Sequence, residues 1–222
     1  MHNCTVCISG VVCIFVNNVI ATASRGGDRR ERRRAATRRQ VADSALRLAL
    51  EHGVESVTVE QISEAADIAP RTFFNYFSSK EDALLPGREA KLDGLREALA
   101  GQPDADDSVA GAWRALTTWA LAGDLVSADA LPRIRLALES RSLNPRYLAR
   151  YAAIESVLTD HLSARLSAAG AGAVLRGTAR AAALVGVFRA GVRCWALDPA
   201  YDGQPVSQVL DQAFAAGFPA TQ

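Results

Sequence analysis

Residues 69 to 85, APRTFFNYFSSKEDALL, gather the groups best suited to reading a nucleic acid. Phe73, Phe74, Tyr76 and Phe77 place four rings within five positions, in a chain with 14 Phe, Trp and Tyr in all. Phe73 and Phe77, four apart, share one helix face and suit a small core. Arg71, Thr72, Phe74, Asn75 and Tyr76 are left for the outer face. There an arginine fork matches guanine O6 and N7, and Phe74 can cover a thymine methyl group. Asn75 can pair with adenine or bond a phosphate. Thr58, Tyr76 and Lys80 fit phosphate contacts, which fix register rather than sequence. Lys80 also lies in the first turn of a helix, where backbone N–H groups favour an anion.

Short helices must hold these groups. A helical pattern from about Arg30 to His52 puts Val41, Ala45, Leu46, Leu48 and Ala49 on one face, and Gly53 follows as a C-terminal cap. Thr58 and Gln61 form the signature of a capping box, with Val57 and Ile62 as the hydrophobic staple. That helix ends near Ala66, "DIA" makes a turn, and Pro70 opens a third helix running to about Phe77. Ser79 caps a fourth, expected to continue to about Ala100. A helix, a three-residue turn and a second short helix make a helix-turn-helix, whose second helix enters the major groove. Five further helices are expected near 108–122, 127–139, 145–169, 173–197 and 205–217. No alternating run predicts a strand, so the fold class is all-α: an N-terminal helix-turn-helix module, then a larger helical bundle.

The charge is unevenly spread. Net charge is +1, yet residues 25–39 hold eight Arg against one Asp and one Glu, leaving the rest of the chain acidic. Residues 25–36 are therefore a basic arm, and with Arg38 and Arg39 at the start of the module (37–85) they suit an anionic partner. A solvated tail is the alternative, and such a tail can order on DNA. Residues 1–24 carry no Lys, Arg, Asp or Glu, and hold three of the four Cys. They read as disordered, or as non-coding sequence translated ahead of the true start. An export signal fits less well, since no basic residue precedes the apolar run and Asn17 and Asn18 interrupt it. That run is also too short to span a bilayer. Cys4 and Cys7 lack a second pair at metal-site spacing, so no metal site and no cofactor are expected.

The segment TVEQISEAADIAPRTFFNYFSSKEDALL resembles the DNA-binding module of the tetracycline-repressor (TetR) family of bacterial transcriptional regulators, over about residues 36 to 85. The family pattern stands here as Thr72, Phe73-Phe74, Tyr76-Phe77 and Ser79-Lys80-Glu81. Two positions depart from it: Asp67 stands where the family has Gly in the turn, and Ala69 where it has a capping residue. The resemblance implies a cytoplasmic homodimer on a double-stranded DNA operator, with a ligand-binding and dimerisation domain at 86–217. It also implies repression relieved by a small amphipathic ligand. RTFFNYFSSKEDAL, with the Arg- and Ala-rich second half, is similar to the mycofactocin-associated branch, whose implied ligands are acyl-CoAs.

In the second half, the candidate pocket is Trp113, Trp119, Arg135, Arg141, Arg189 and Trp195: apolar walls with a cationic mouth for an acyl-CoA or another amphipathic anion. Structural ion pairs or plain exposure are the competing reading of these arginines. Ala182, Gly186 and Ala190, with Leu210 and Phe214, are the candidate dimer contacts. No phosphate loop, paired His or nucleophile elbow points to an enzyme. A DNA-binding protein without a ligand, and a membrane-tethered or exported one, are the remaining alternatives.

Overall fold

The computed structural model of the chain describes residues 20–85, 92–103, 109–123, 125–166 and 172–219. The calls on Cys4, Cys7 and the first nineteen residues lie outside these. The described residues fall into two compact units, divided between Gln40 and Val41. They contain ten α-helices and no strand.

Helix α1 spans Ile20–His52, starting about ten residues earlier than the periodicity predicts. The arginine-rich stretch is thus helical rather than an extended arm, with Arg29 to Arg34 exposed. The first unit contributes only such polar surface among its described side chains.

The second unit begins with the apolar face of α1, where Val41, Ala42, Ala45 and Ala49 are buried. A 3₁₀ turn at Val54–Ser56 leads to α2, Val59–Ala65. The capping box forms as expected: Thr58 N–H donates to Gln61 Oε1 at 2.9 Å, and Gln61 N–H to Thr58 Oγ1 at 3.3 Å. α2 ends in a Schellman arrangement, with Ile68 N–H on Ser63 O and Asp67 N–H on Glu64 O, both at 3.0 Å. Asp67 takes the left-handed conformation there, with φ 51°. Asp67→Gly is expected to raise stability by about 0.5–1 kcal/mol, and Asp67→Val to lower it by about 1–2 kcal/mol. Urea unfolding would measure both.

α3, Pro70–Phe73, is shorter than predicted, because a turn carries the chain from Phe74 to Tyr76. The single helix expected from Ser79 to Ala100 is instead α4, Lys80–Leu84, and α5, Leu92–Ala100. Leu85, at φ −119° and ψ 65°, leaves the helix because it precedes Pro86, which disfavours helical backbone in its neighbour.

The bundle follows as α6 (Val109–Ala122), α7 (Leu131–Glu139), α8 (Asn144–Leu166), α9 (Ala173–Leu197) and α10 (Val206–Gly217). α8 and α9 pack along their length around Ile154, Leu158, Leu162, Ala181, Leu184 and Phe188, all at most 1% exposed. At their crossing Gly177 lies against the Ser163 backbone. The expected boundary near residue 85 is not a physical gap: α2–α4 and the bundle helices belong to one compact unit.

Candidate nucleic-acid interface

Phe73 and Phe77 are buried, with ring centroids 5.7 Å apart. They anchor α3 on Ile62, Ala66 and Leu84 in the same core. Ala69 makes no side-chain cap, but its carbonyl accepts Thr72 N–H at 2.8 Å, and Pro70 supplies the helical φ of the first position. The buried rings turn the rest of the short helix outward. Arg71, Phe74 and Asn75 are exposed, Phe74 by 58%, its ring edge-on to Phe73 at 5.5 Å. Thr72 is half-buried beside them. Arg71 makes no hydrogen bond or ion pair among the described residues, so its fork is available to a base. Thr58 is exposed at the start of α2 with its hydroxyl hydrogen uncommitted by the cap. Arg38 and Arg39 belong to the first unit, half-buried and exposed respectively.

Two expected phosphate contacts sit differently. Tyr76 is half-buried and packs against the core rather than standing on the outer face. Lys80 Nζ donates to Val54 O at 2.9 Å, Glu55 O at 3.2 Å and Val57 O at 2.8 Å. All three ammonium hydrogens are therefore engaged within the chain, tying α4 to the turn before α2. Sequence spacing could not reveal this, because the partners lie 23 to 26 residues away. Lys80→Met is expected to cost about 2 kcal/mol in urea unfolding, by leaving the turn's carbonyls without donors. The salt slope of DNA binding should stay unchanged, where loss of a phosphate contact would lower it by about one unit.

Polar ties join this module to α7 and α8. Arg133 donates to Asp43 Oδ1 at 2.8 Å and to Ala42 O at 3.3 Å. Arg146 pairs with Asp82, which also accepts from Ser78. Ser140 donates to Glu55 at 3.2 Å. Hydrogen bonds from Ser142 and Ser140 hold the Glu55 carboxyl below its usual range. An open cleft of about 640 Å³ lies here, lined by Val54, Glu55, Leu136, Glu139 and Arg141.

The six candidate pocket residues do not converge. Arg141 is exposed on that cleft, and Arg135 caps the end of α9, donating to Ala196 O at 2.6 Å and lying 3.8 Å from Asp202. Trp195 donates to Gln204 O at 3.1 Å and is nearly buried. Trp119 is half-buried beside Gly94. Trp113 alone lies in the aromatic centre of the bundle, stacked on Phe214 at 4.9 Å. Arg189 is exposed, but its charge acts on Tyr147 and Tyr151. These two tyrosines and Phe188 were missed. Their signal is the spacing Tyr147-x-x-x-Tyr151, which puts both rings on one face of α8.

Of the candidate dimer contacts, Ala182, Gly186 and Ala190 form an exposed stripe on α9. Leu210 is fully buried within its own chain and Phe214 packs on Trp113, because α10 folds back onto Gly191 of α9. Cys194, expected in the core, is half-buried and lines a groove of about 400 Å³ with Ala190, Gly191, Tyr201 and Ala213.

Among the described residues no helix is long and apolar enough to cross a membrane. Residues 41–85 match the family model for bacterial regulatory proteins of the tetR family. The chain is 35% identical over 167 residues to the HTH-type transcriptional regulator TcmR of Streptomyces glaucescens, covering 72% of each chain. It is 28% identical to MftR of Mycobacterium tuberculosis, assigned as a mycofactocin biosynthesis transcriptional regulator, over 60% of this chain and 68% of that one. The likeness noted in RTFFNYFSSKEDAL is thus not peculiar to the mycofactocin branch. Among solved structures, NalD, the secondary repressor of the MexAB-OprM efflux pump in Pseudomonas aeruginosa, aligns with a TM-score of 0.55 at 21% identity, over 81% of this chain and 96% of its own. A SmeT–triclosan complex aligns at 0.54 and 19%, over 82% and 91%. With the helix-turn-helix built as described and this likeness spanning most of its length, the chain belongs to the tetR family of bacterial transcriptional regulators.

Proposed function

We propose that this chain is a ligand-responsive repressor, binding its operator as a homodimer in the cytoplasm and released by a small amphipathic molecule. The observation that carries the DNA reading is the exposed set Arg71, Phe74 and Asn75, held outward by the buried Phe73 and Phe77. A homodimer suits a near-palindromic site, because two recognition helices about 34–36 Å apart meet successive major grooves. The exposed stripe Ala182, Gly186 and Ala190 supports close helix approach between protomers. The polar ties from Arg133, Ser140 and Arg146 support a ligand response, since any shift of α7 or α8 loads α1, the 3₁₀ turn and α4 together.

The test is fluorescence anisotropy on labelled DNA from the region upstream of the chain's own gene, against scrambled DNA at fixed salt. A preference of about a thousandfold or more, with two protomers per site, is expected. Equal, weak and salt-sensitive binding to both DNAs would sink the proposal for that operator.

A further inference from the structure

Six rings form one chain of contacts through the bundle. Tyr147 and Tyr151 of α8 meet edge to face at 4.9 Å, and Tyr151 reaches Phe188 of α9 at 6.3 Å. Phe188 lies 6.0 Å from Trp113 of α6, which stacks on Phe214 of α10 at 4.9 Å and 26°. Phe218 continues the series at 5.0 Å.

This aromatic core has more hydrogen-bond donors than acceptors. The Tyr147 and Tyr151 hydroxyls are 2.8 Å apart and 3% exposed, yet they can share only one hydrogen. The other O–H has no acceptor among the described residues. Trp113 is 4% exposed and its Nε1–H, a donor only, also has no partner there. Burial pushes both phenols above their ordinary range, against the pull of Arg150 and Arg189, so both keep their hydrogens at neutral pH. No carboxylate acts on either of them. Buried donors of this kind are costly unless something supplies acceptors.

We propose that the effector is a planar aromatic molecule bearing carbonyl, carboxylate or phenolic oxygens, bound among Trp113, Tyr147, Tyr151 and Phe188. This rests on the reading that the chain responds to a ligand. The flat ring walls suit offset or edge-on packing of an aromatic body, and the surplus O–H and N–H meet its oxygens. Phe214, half-buried and stacked on Trp113 from α10, is the ring that an entering ligand would displace. An acyl-CoA fits this place less well, because Arg135 and Arg141 are committed elsewhere and no cationic mouth forms around the rings.

The test is calorimetric titration of the full chain with anthraquinone-2-carboxylate, 1-hydroxy-2-naphthoate and 2-naphthol, with decanoate as a ringless anion. At least one ring compound is expected to bind and decanoate not. The double variant Tyr147→Phe/Tyr151→Phe keeps both rings, should melt no lower than the parent, and should bind at least tenfold more weakly. A lower melting temperature with undiminished binding would make the tyrosines a structural pair and overturn the proposal. So would silence of all three ring compounds at millimolar concentration. Operator anisotropy on the same samples separates the two readings. Tyrosine-dependent binding without DNA release keeps the site and removes the ligand response. Release by decanoate alone keeps the response and removes the aromatic site.

Discussion

Gly177→Ala is expected to destabilise the protein by about 3 kcal/mol, the top of the usual range for overpacking. A Cβ at this position would collide with Ser163 Oγ and lie 2.7 Å from the Ser163 backbone nitrogen and 2.9 Å from its Cα. A rotamer change can move the hydroxyl, but the backbone atoms move only if α8 and α9 separate. That crossing holds the largest part of the bundle core. The melting temperature should fall by about 6–12 °C, at fixed protein concentration because dimerisation would couple to unfolding. Gly186→Ala is the internal control. Nothing lies within 4 Å of its would-be Cβ, so alanine there should be neutral or stabilise by up to about 1 kcal/mol. If both glycines behaved alike, the close approach at Ser163 would be refuted.

Arg71→Ala should leave the melting temperature unchanged and lower affinity for the operator by about 1–3 kcal/mol, roughly tenfold to 150-fold. Its guanidinium holds nothing together within the described chain, so its loss is felt only in complex. Scrambled DNA should lose far less, because a base contact carries discrimination whereas phosphate contacts carry affinity. A uniform loss on both DNAs would make Arg71 a phosphate contact instead. Lys80→Met supplies the opposite pattern, reduced stability with an unchanged salt slope.

The helix-turn-helix was legible in the residues because its determinants are local. Thr58 caps Gln61 three residues on, Pro70 starts α3, and Phe73 and Phe77 repeat at helical spacing. Each acts within one or two turns, where spacing alone decides which side chains meet. Asp67 likewise announced a left-handed turn residue, and it is the only described non-glycine with positive φ. Lys80 shows where this logic ends. An ammonium near a helix start looks like a phosphate ligand until the carbonyls of Val54, Glu55 and Val57 arrive from another element.

The bundle was legible as helices but not as a site. Arg135, Arg141, Arg189, Trp113, Trp119 and Trp195 suggested a pocket by type, and six apolar or cationic residues on several helices can be arranged in many ways. Packing sends Arg135 to the end of α9 and gathers Tyr147, Tyr151, Phe188 and Trp113 instead. Leu210 and Phe214 turn inward because Gly191 lets α10 close on α9. The sequence by itself therefore determined the helical class, the DNA-reading module and the outward groups Arg71, Phe74 and Asn75, since these rest on short-range periodicity and capping. Tertiary structure alone decided which donors lie buried without acceptors and which polar groups tie α7 and α8 to the module. Those depend on contacts between residues far apart in the chain, chosen by how ten helices fill one volume.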